Sequence, residues 1–595
     1  MRKILFSVLG CLVAVCTHAA QIVNVDYVHK LIAQKWDVSV PIKADGPMQV
    51  ANMKYLLTAV DVANEILNGE KTTDYGNGEF ATLQVADTVA TIQAVDTLVR
   101  KEIEYKFFLT TTSTNSFSFS ISAAGEFVID WGDGTVETKT KANTTNTTYS
   151  HTYSTSKSYT IKLAGQATAY NTSTSIAAIK FYVNSSQTKI ASIDGSLGAI
   201  FSTLPDGTQP SFNQTFSSAG NMTGSIPANL FAGISGTPRT AMFFMTFFEC
   251  KRLTGSIPDS LFGNLTGAPA TYVFLGTFRG CSGLTGSIPN NLFGNMTGVP
   301  AGDMFRETFY GCSGLTGSIP EGLFAGISGA PAEYMFAATF HGCSGLTGAI
   351  PDGLFAGISG APAEGMFGHS NYFSEKIELK EVKNDDNDGT FSGCSGLTGS
   401  IPSGLFAGIS GVPAENMFRG TFSGCSGLTS IPDDLFASIS GVPAPHMFNG
   451  TFGGCSGLTG SIPSGLFAGI SGQPADCMFY GTFVDCIGLT SIPDGLFAGI
   501  SGQPASSMFY STFFGCSGLT SIPENLFGNI SGTAQDGMFY LTFAYCLSLT
   551  GPSARINGKY LYEIWPSGQS VQVCAYWLSS NLSDYSSMPA NWKEL

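Results

Sequence analysis

The chain has 595 residues, with 43% hydrophobic residues, 12% charged residues, and 28 Lys and Arg against 43 Asp and Glu, a formal charge of -15. That balance excludes a nucleic acid or an anionic membrane surface as the main partner, because both need a basic footprint. Phe alone accounts for 45 residues, too much apolar surface for a wholly disordered chain, so a large core is buried somewhere.

Residues 1–20 read as a secretory signal peptide. Arg2 and Lys3 precede an apolar run from Ile4 to Cys16 and then small residues at Ala19 and Ala20. The run is too short to cross a bilayer of roughly 30 Å as a helix, and no second run reaches about 20 residues, so no membrane-spanning segment is expected in the mature chain. Residues 21–105 have helical periodicity: Val50, Met53, Leu57, Val60 and Leu67 form one apolar stripe, and Val85, Val89, Ile92, Val95 and Val99 another. A small helical module is expected there.

After Lys106 the period becomes two. Phe117, Phe119 and Ile121 alternate with serines, and Asp130-Trp131-Gly132-Asp133-Gly134-Thr135 supplies an Asp-Gly turn between strands. His151-Thr152-Tyr153 and Tyr159-Thr160-Ile161-Lys162-Leu163 continue the strand pattern. The WGDGT, SHTYS and YTIKL runs together resemble the polycystic-kidney-disease (PKD) type domain, which implies an immunoglobulin-like β-sandwich over about 106–166. Asp130, Asp133 and His151 are read as turn and strand-end hydrogen-bonding groups.

From 212 to 551 the chain repeats. Ile-Pro pairs recur at Pro227, Pro258, Pro289, Pro320, Pro351, Pro402, Pro432, Pro463, Pro493 and Pro523, at intervals of 30 or 31 residues apart from one of 51. Units reading LTGSIP carry one Gly more than those reading LTSIP, which accounts for the alternation. No unit can bury its own Phe residues, so stacking into a solenoid is expected. In each unit Leu315 and Ile319, or their equivalents, suit a very short strand. Leu323, Phe324 and Ile327, then Met335, Phe336 and Phe340, have the spacing of helical or 3-10 segments. Residues 167–211 and 552–595 are read as the caps at the two ends, and 368–389 as an insert in one unit.

Cys250, Cys281, Cys312, Cys343, Cys394, Cys425, Cys455, Cys486, Cys516 and Cys546 occupy one place in successive units. Ala219 holds that place in the first unit, so the seat is read as one for a small buried group rather than a disulfide. The CSGLTGSIP run, with TF before it and LF beyond the proline, resembles the BspA-like leucine-rich repeats of bacterial surface proteins. That resemblance implies a leucine-rich-repeat solenoid, short strands with helical or 3-10 connections, at a cell surface. An added GISGxPAE stretch departs from it.

No elbow, phosphate loop, HExxH or paired zinc cysteines are present, and the histidines fall in different modules or registers, so neither enzymatic activity nor a cofactor is expected. Asp259, Asp352, Asp433 and Asp494 share one register, which a turn-capping role explains. Asn384, Asp386 and Asp388 alternate as in a calcium loop, but Ser395 stands where its bidentate Glu belongs. The positions that change from unit to unit, among them Tyr310, His341, Arg419, Asn449 and Tyr480, are the candidate partner-binding residues. The expectation is a secreted or cell-surface, adhesin-like binding protein for an extracellular protein or glycan. The alternatives are a self-associating structural component of an envelope or matrix, and a glycan-binding accessory of an extracellular enzyme system.

Overall fold

The computed structural model describes residues 103–368, 388–566 and 582–593. The expected signal peptide and nearly all of the helical module lie outside them, as do Asn384 and Asp386. The chain divides into two compact units, 1–105 and 106–595, and nearly all of the described residues belong to the second.

This second unit opens with eight strands: β1 (Phe107–Thr111), β2 (Thr114–Ile121), β3 (Ala123–Asp130), β4 (Val136–Lys141), β5 (Thr147–Lys157), β6 (Thr160–Tyr170), β7 (Ile179–Lys180) and β8 (Ile190–Gly195). They form two antiparallel sheets, ordered β4-β3-β6-β1-β8 and β5-β2-β7. The alternation of Phe117, Phe119 and Ile121 turns these side chains inward. Phe119 meets Trp131 from the other sheet's hairpin at 5.6 Å between ring centroids. The hairpin turn is held as its residues suggest: Asp130 Oδ1 accepts from Gly132 N–H at 2.9 Å and Asp133 Oδ1 from Thr135 N–H at 3.0 Å. Glycine is required here, with φ 82° at Gly132 and 101° at Gly134.

The expected boundary at 166 is corrected. It falls inside β6, and the segment 167–211 supplies β7 and β8 to the two sheets. The signal was weak because Ala164, Gly165, Ala167 and Ala169 give no apolar contrast along the strand. The same segment is also the first layer beneath the repeats. Phe181 donates its N–H to Thr215 O at 3.0 Å, Thr223 donates to Ala191 O at 2.8 Å, and Gly198 to Leu230 O at 2.9 Å.

From there on, successive units stack, joined by three sets of inter-unit hydrogen bonds. One follows the Leu-Thr-Ser run, where Leu428–Ser430 pairs in parallel with Gly399–Ser400. Another follows the Gly-Ile-Ser run, where Phe497–Gly502 pairs with Phe527–Ile530. The third follows the Met-Phe-x-x-Thr-Phe segment, which is not helical: the helical or 3-10 closures expected for each unit are absent from the described repeats, and turns stand in their place. Amide protons alternate there. Phe336 and Phe340 donate to Met366 and Thr390 of the next unit, while Ala337, Thr339 and His341 donate three residues back within their own. Helical spacing arose because inward residues recur at intervals of three and four, which this alternating turn also produces.

That alternation needs positive φ at three places per unit, four residues apart: Tyr334 (51°), Ala338 (51°) and Gly342 (69°) in one unit, Asn416, Gly420 and Gly424 in another. The third place explains the Gly that precedes seven of the ten repeat cysteines, since other residues pay about 1–2 kcal/mol for that region.

The core is three columns of stacked rings. Phe274 lies on Phe305 at 5.7 Å, Phe278 on Phe309 at 5.8 Å and Phe293 on Phe324 at 6.2 Å, with tilted contacts between columns such as Phe293 on Phe305 at 4.8 Å. Each buried ring contributes about 1.5–3 kcal/mol of transfer free energy, more where rings meet edge to face. Beside them run two polar ladders. The Thr308 hydroxyl donates to Phe274 O of the preceding unit at 3.1 Å, and the Cys312 thiol to Phe278 O at 3.1 Å. The repeat cysteines are buried and free, and burial pushes the Cys312 and Cys455 thiols up to about 12. At the far end Trp565 covers Phe539 at 5.9 Å and Trp592 donates to Trp565 O, closing the last layer.

The insert does not break the stack. Thr390 N–H donates to Phe367 O at 2.9 Å, the bond that Thr339 makes to Phe336 in an uninterrupted unit.

These ladders have two measurable consequences. Thr308→Val keeps the shape and removes the hydroxyl bond, so chemical denaturation should show a loss of about 1 kcal/mol. A thiol reagent applied to the native protein should label half-buried Cys477 well before any repeat cysteine, because only a thiolate reacts and burial holds the others protonated.

Candidate functional site

In each Met-Phe-x-x-Thr-Phe-x segment the Met, the Thr and both Phe residues point inward, so the x positions form rows along one face. One row, following the first Phe, holds Arg306, Arg419, Asn449, Tyr480, Tyr510 and Tyr540; another, following the second Phe, holds Arg279, Tyr310 and His341. The five candidates therefore divide between two rows of a single face. They do not converge on one point.

The first half of this face is ionic and tightly packed. The Arg279 guanidinium lies 4.0 Å from the centroid of Tyr310, and Tyr310 stacks on His341 at 4.3 Å with 17° between planes. His341 Nδ1 is 3.2 Å from Asp388 Oδ1. Arg279 pairs with Glu307; Arg306 pairs with Asp303 at 3.1 Å and lies 3.6 Å from Glu307. Arg306 also lies over the Tyr334 ring, and the Tyr334 hydroxyl bonds to Glu364. Burial opposes the charge on Arg279, but Glu307 together with Tyr310 and Asp388 more than offsets it and holds the guanidinium charged. For Asp303 burial wins over Arg306, and its carboxyl is pushed up to about 6.

The second half is aromatic and less charged. Tyr480 stacks on Tyr510 at 4.5 Å, and Tyr540 meets Tyr510 tilted at 4.8 Å, with burial and the neighbouring phenols raising Tyr510 to about 12. Asn449 Nδ2 lies 3.2 Å from His446 Nδ1, and His446 is held below its ordinary value by burial and then by Arg419. Rings stacked this way spend their faces on one another and present edges and hydroxyls outward, which suits hydrogen bonding and flat apolar contact. Sequence reasoning missed Arg279, Asp303, Arg306, Glu307, Tyr510 and Tyr540, although aligning the units by register places all of them in, or next to, these rows.

Asp388, one of the calcium candidates, is buried and directed at His341. Among the described residues no group of three or more His, Cys, Asp or Glu gathers as a metal site, and no helix is long and apolar enough to cross a membrane. In the two antiparallel sheets and their turns, Asp133 and His151 pair at 2.7 Å with His151 stacked on Trp131, and Asp130 pairs with Lys162 at 2.9 Å.

Asp303 sets a pH signature. Its folded value, near 6, lies above the ordinary 3.8, so between these values the native state binds more protons than the unfolded chain, and stability falls as pH rises through that window. Urea unfolding from pH 4 to pH 7 should show Asp303→Asn gaining on the unchanged protein as pH rises; a constant difference between the two would contradict this assignment. Comparison of the chain with family models, with curated proteins and with solved structures finds no match.

Proposed function

We propose that this is a secreted, surface-exposed, non-enzymatic binding protein of adhesin-like character, in which a leucine-rich-repeat solenoid displays one varied face to an extracellular protein or glycan. The observation that carries the reading is a contrast inside the chain. Units that share a core of Phe, Thr, Cys and Leu almost without change differ from one another at the places outside the ring columns, which are buried at Arg306 and Asn449 and half-buried at Arg419 and Tyr480. The columns of rings do not impose that divergence, because those side chains lie outside them. Recognition of a partner gives each place its own demand.

The order of the signal-like leader, the PKD-like runs and the BspA-like CSGLTGSIP units supports the same reading, with the sandwich serving as base and spacer. The mechanism is passive display: a rigid frame holds many modest contacts in register, so binding loses little conformational entropy. The insert at 368–389 begins at Gly368, the place after Phe367 that Arg306 and Arg419 hold in their units, and insertions in repeat arrays commonly add contacts.

An array of matrix proteins and polysaccharides, probed with the purified chain and with a form lacking 368–389, tests the proposal. A specific hit that weakens when Tyr480, Tyr510 and Tyr540 are changed to Ser is the expected result. A blank array together with calcium-driven oligomers would instead favour a structural envelope role.

A further inference from the structure

Two of the last three units depart from the repeat at a corner where packing makes no demand. The places on either side of the repeat Cys are Gly and Ser in most units, as at Gly311 and Ser313, Gly342 and Ser344, or Gly424 and Ser426. Around Cys486 they become Asp485 and Ile487, and around Cys546 they become Tyr545 and Leu547. Ile487 is 51% exposed, Leu547 56% and Tyr545 41%. Phe514, between them in the stack, meets Tyr545 at 5.0 Å edge to face, and the units are joined there by Asp485 N–H to Phe514 O at 2.7 Å and Gly515 N–H to Ala544 O at 2.8 Å. An aliphatic and aromatic patch is therefore exposed on a rigid ladder, where the same register elsewhere carries Gly and Ser.

The patch is also held against the backbone's preference. Asp485 has φ 55° and Tyr545 has φ 60°, at a place that glycine fills in most units at no such cost. Strain kept at a solvent-exposed place, where the chain's own repeat offers the relaxed alternative, marks a place that does something other than fold. Charge says what it meets: Asp485 stands in the corner itself, and the stretch of chain that holds the corner, from 420 to 554, has seven acidic residues and no Lys or Arg.

We propose that this corner, formed by Asp485, Ile487, Phe514, Tyr545 and Leu547, docks a basic amphipathic segment of a partner protein. Apolar side chains of that segment would lie on Ile487, Phe514 and Leu547, and its Lys or Arg residues against Asp485 and the ring of Tyr545. The inference rests on the binding-protein reading and narrows it to a protein partner of stated chemistry.

The probes are three short fluorescent peptides, alternating Lys with Leu, Glu with Leu, and Lys with Ser, titrated into the full chain. The variant carrying Asp485→Gly, Ile487→Ser, Tyr545→Gly and Leu547→Ser restores the repeat's own residues. It should melt at a higher temperature than the unchanged protein and bind the Lys-Leu peptide about tenfold more weakly. Asp433→Ser removes an exposed acid at a place where Ser403 and Ser464 stand in other units, and should leave binding unchanged. The proposal is overturned if the restored variant binds as well as the unchanged protein, if the Glu-Leu or Lys-Ser peptide binds equally, or if sedimentation shows the patch joining two copies of the chain. A protein that ignores the peptides yet keeps its array partner sinks this inference alone; one that binds neither sinks the binding-protein reading as well.

Discussion

Every unit of the repeat gives alternate amide protons of its Phe-rich segment to the unit beyond it and keeps the others for itself. This division of hydrogen bonds is the constraint on which the rest of the structure depends. It brings each ring over the same ring of its neighbour, at 5.7 Å for Phe274 on Phe305, and leaves no room for a residue that would shift the register. It requires positive φ three times per unit, and thereby places glycine where the sequence has it. It also sets the outward residues of successive units one above another, so that residues about 30 positions apart become side-chain neighbours.

Stacking of this kind creates open ends, and both are covered. At the start, β7, β8 and the chain after them offer the first repeat the hydrogen bonds that every later repeat receives from its predecessor, while Phe181 lies on Phe216 at 5.3 Å. At the finish Trp565 and Trp592 are folded over the last layer. The two sheets and the repeats share one continuous core as a consequence. The segment 167–211 thus belongs to the sheets by its hydrogen bonds and to the repeats by its packing, which is why a single boundary drawn through it from the sequence was misplaced.

The face formed by the variable places is divided along its length. Arg279, Arg306, Asp303 and Glu307 form a buried ionic group in the earlier units, whereas Tyr480, Tyr510 and Tyr540 pack together in the later ones, where no Lys or Arg occurs from 420 to 554. Buried ion pairs contribute little net stability and are costly to break, so the ionic group fixes geometry more than it strengthens the fold. This uniform frame with regional chemistry is what the proposed binding reading rests on.

The sequence by itself determined the period, the register of Phe, Thr, Cys and Leu, the place of the insert and the turn at Asp130 to Thr135, because each of these is carried by local residues or by regular recurrence. The free state of the repeat cysteines was also legible, since Ala219 in their seat points to packing. Only the tertiary structure decided that the Met-Phe-x-x-Thr-Phe segment is a run of alternating turns, because spacings of three and four serve a helix equally well until the neighbouring unit takes half of its amides. Only there could Tyr310 be seen between Arg279 and His341, or Asp388 against His341 across the insert. Those contacts join residues far apart in the chain, and stacking alone brings them within reach.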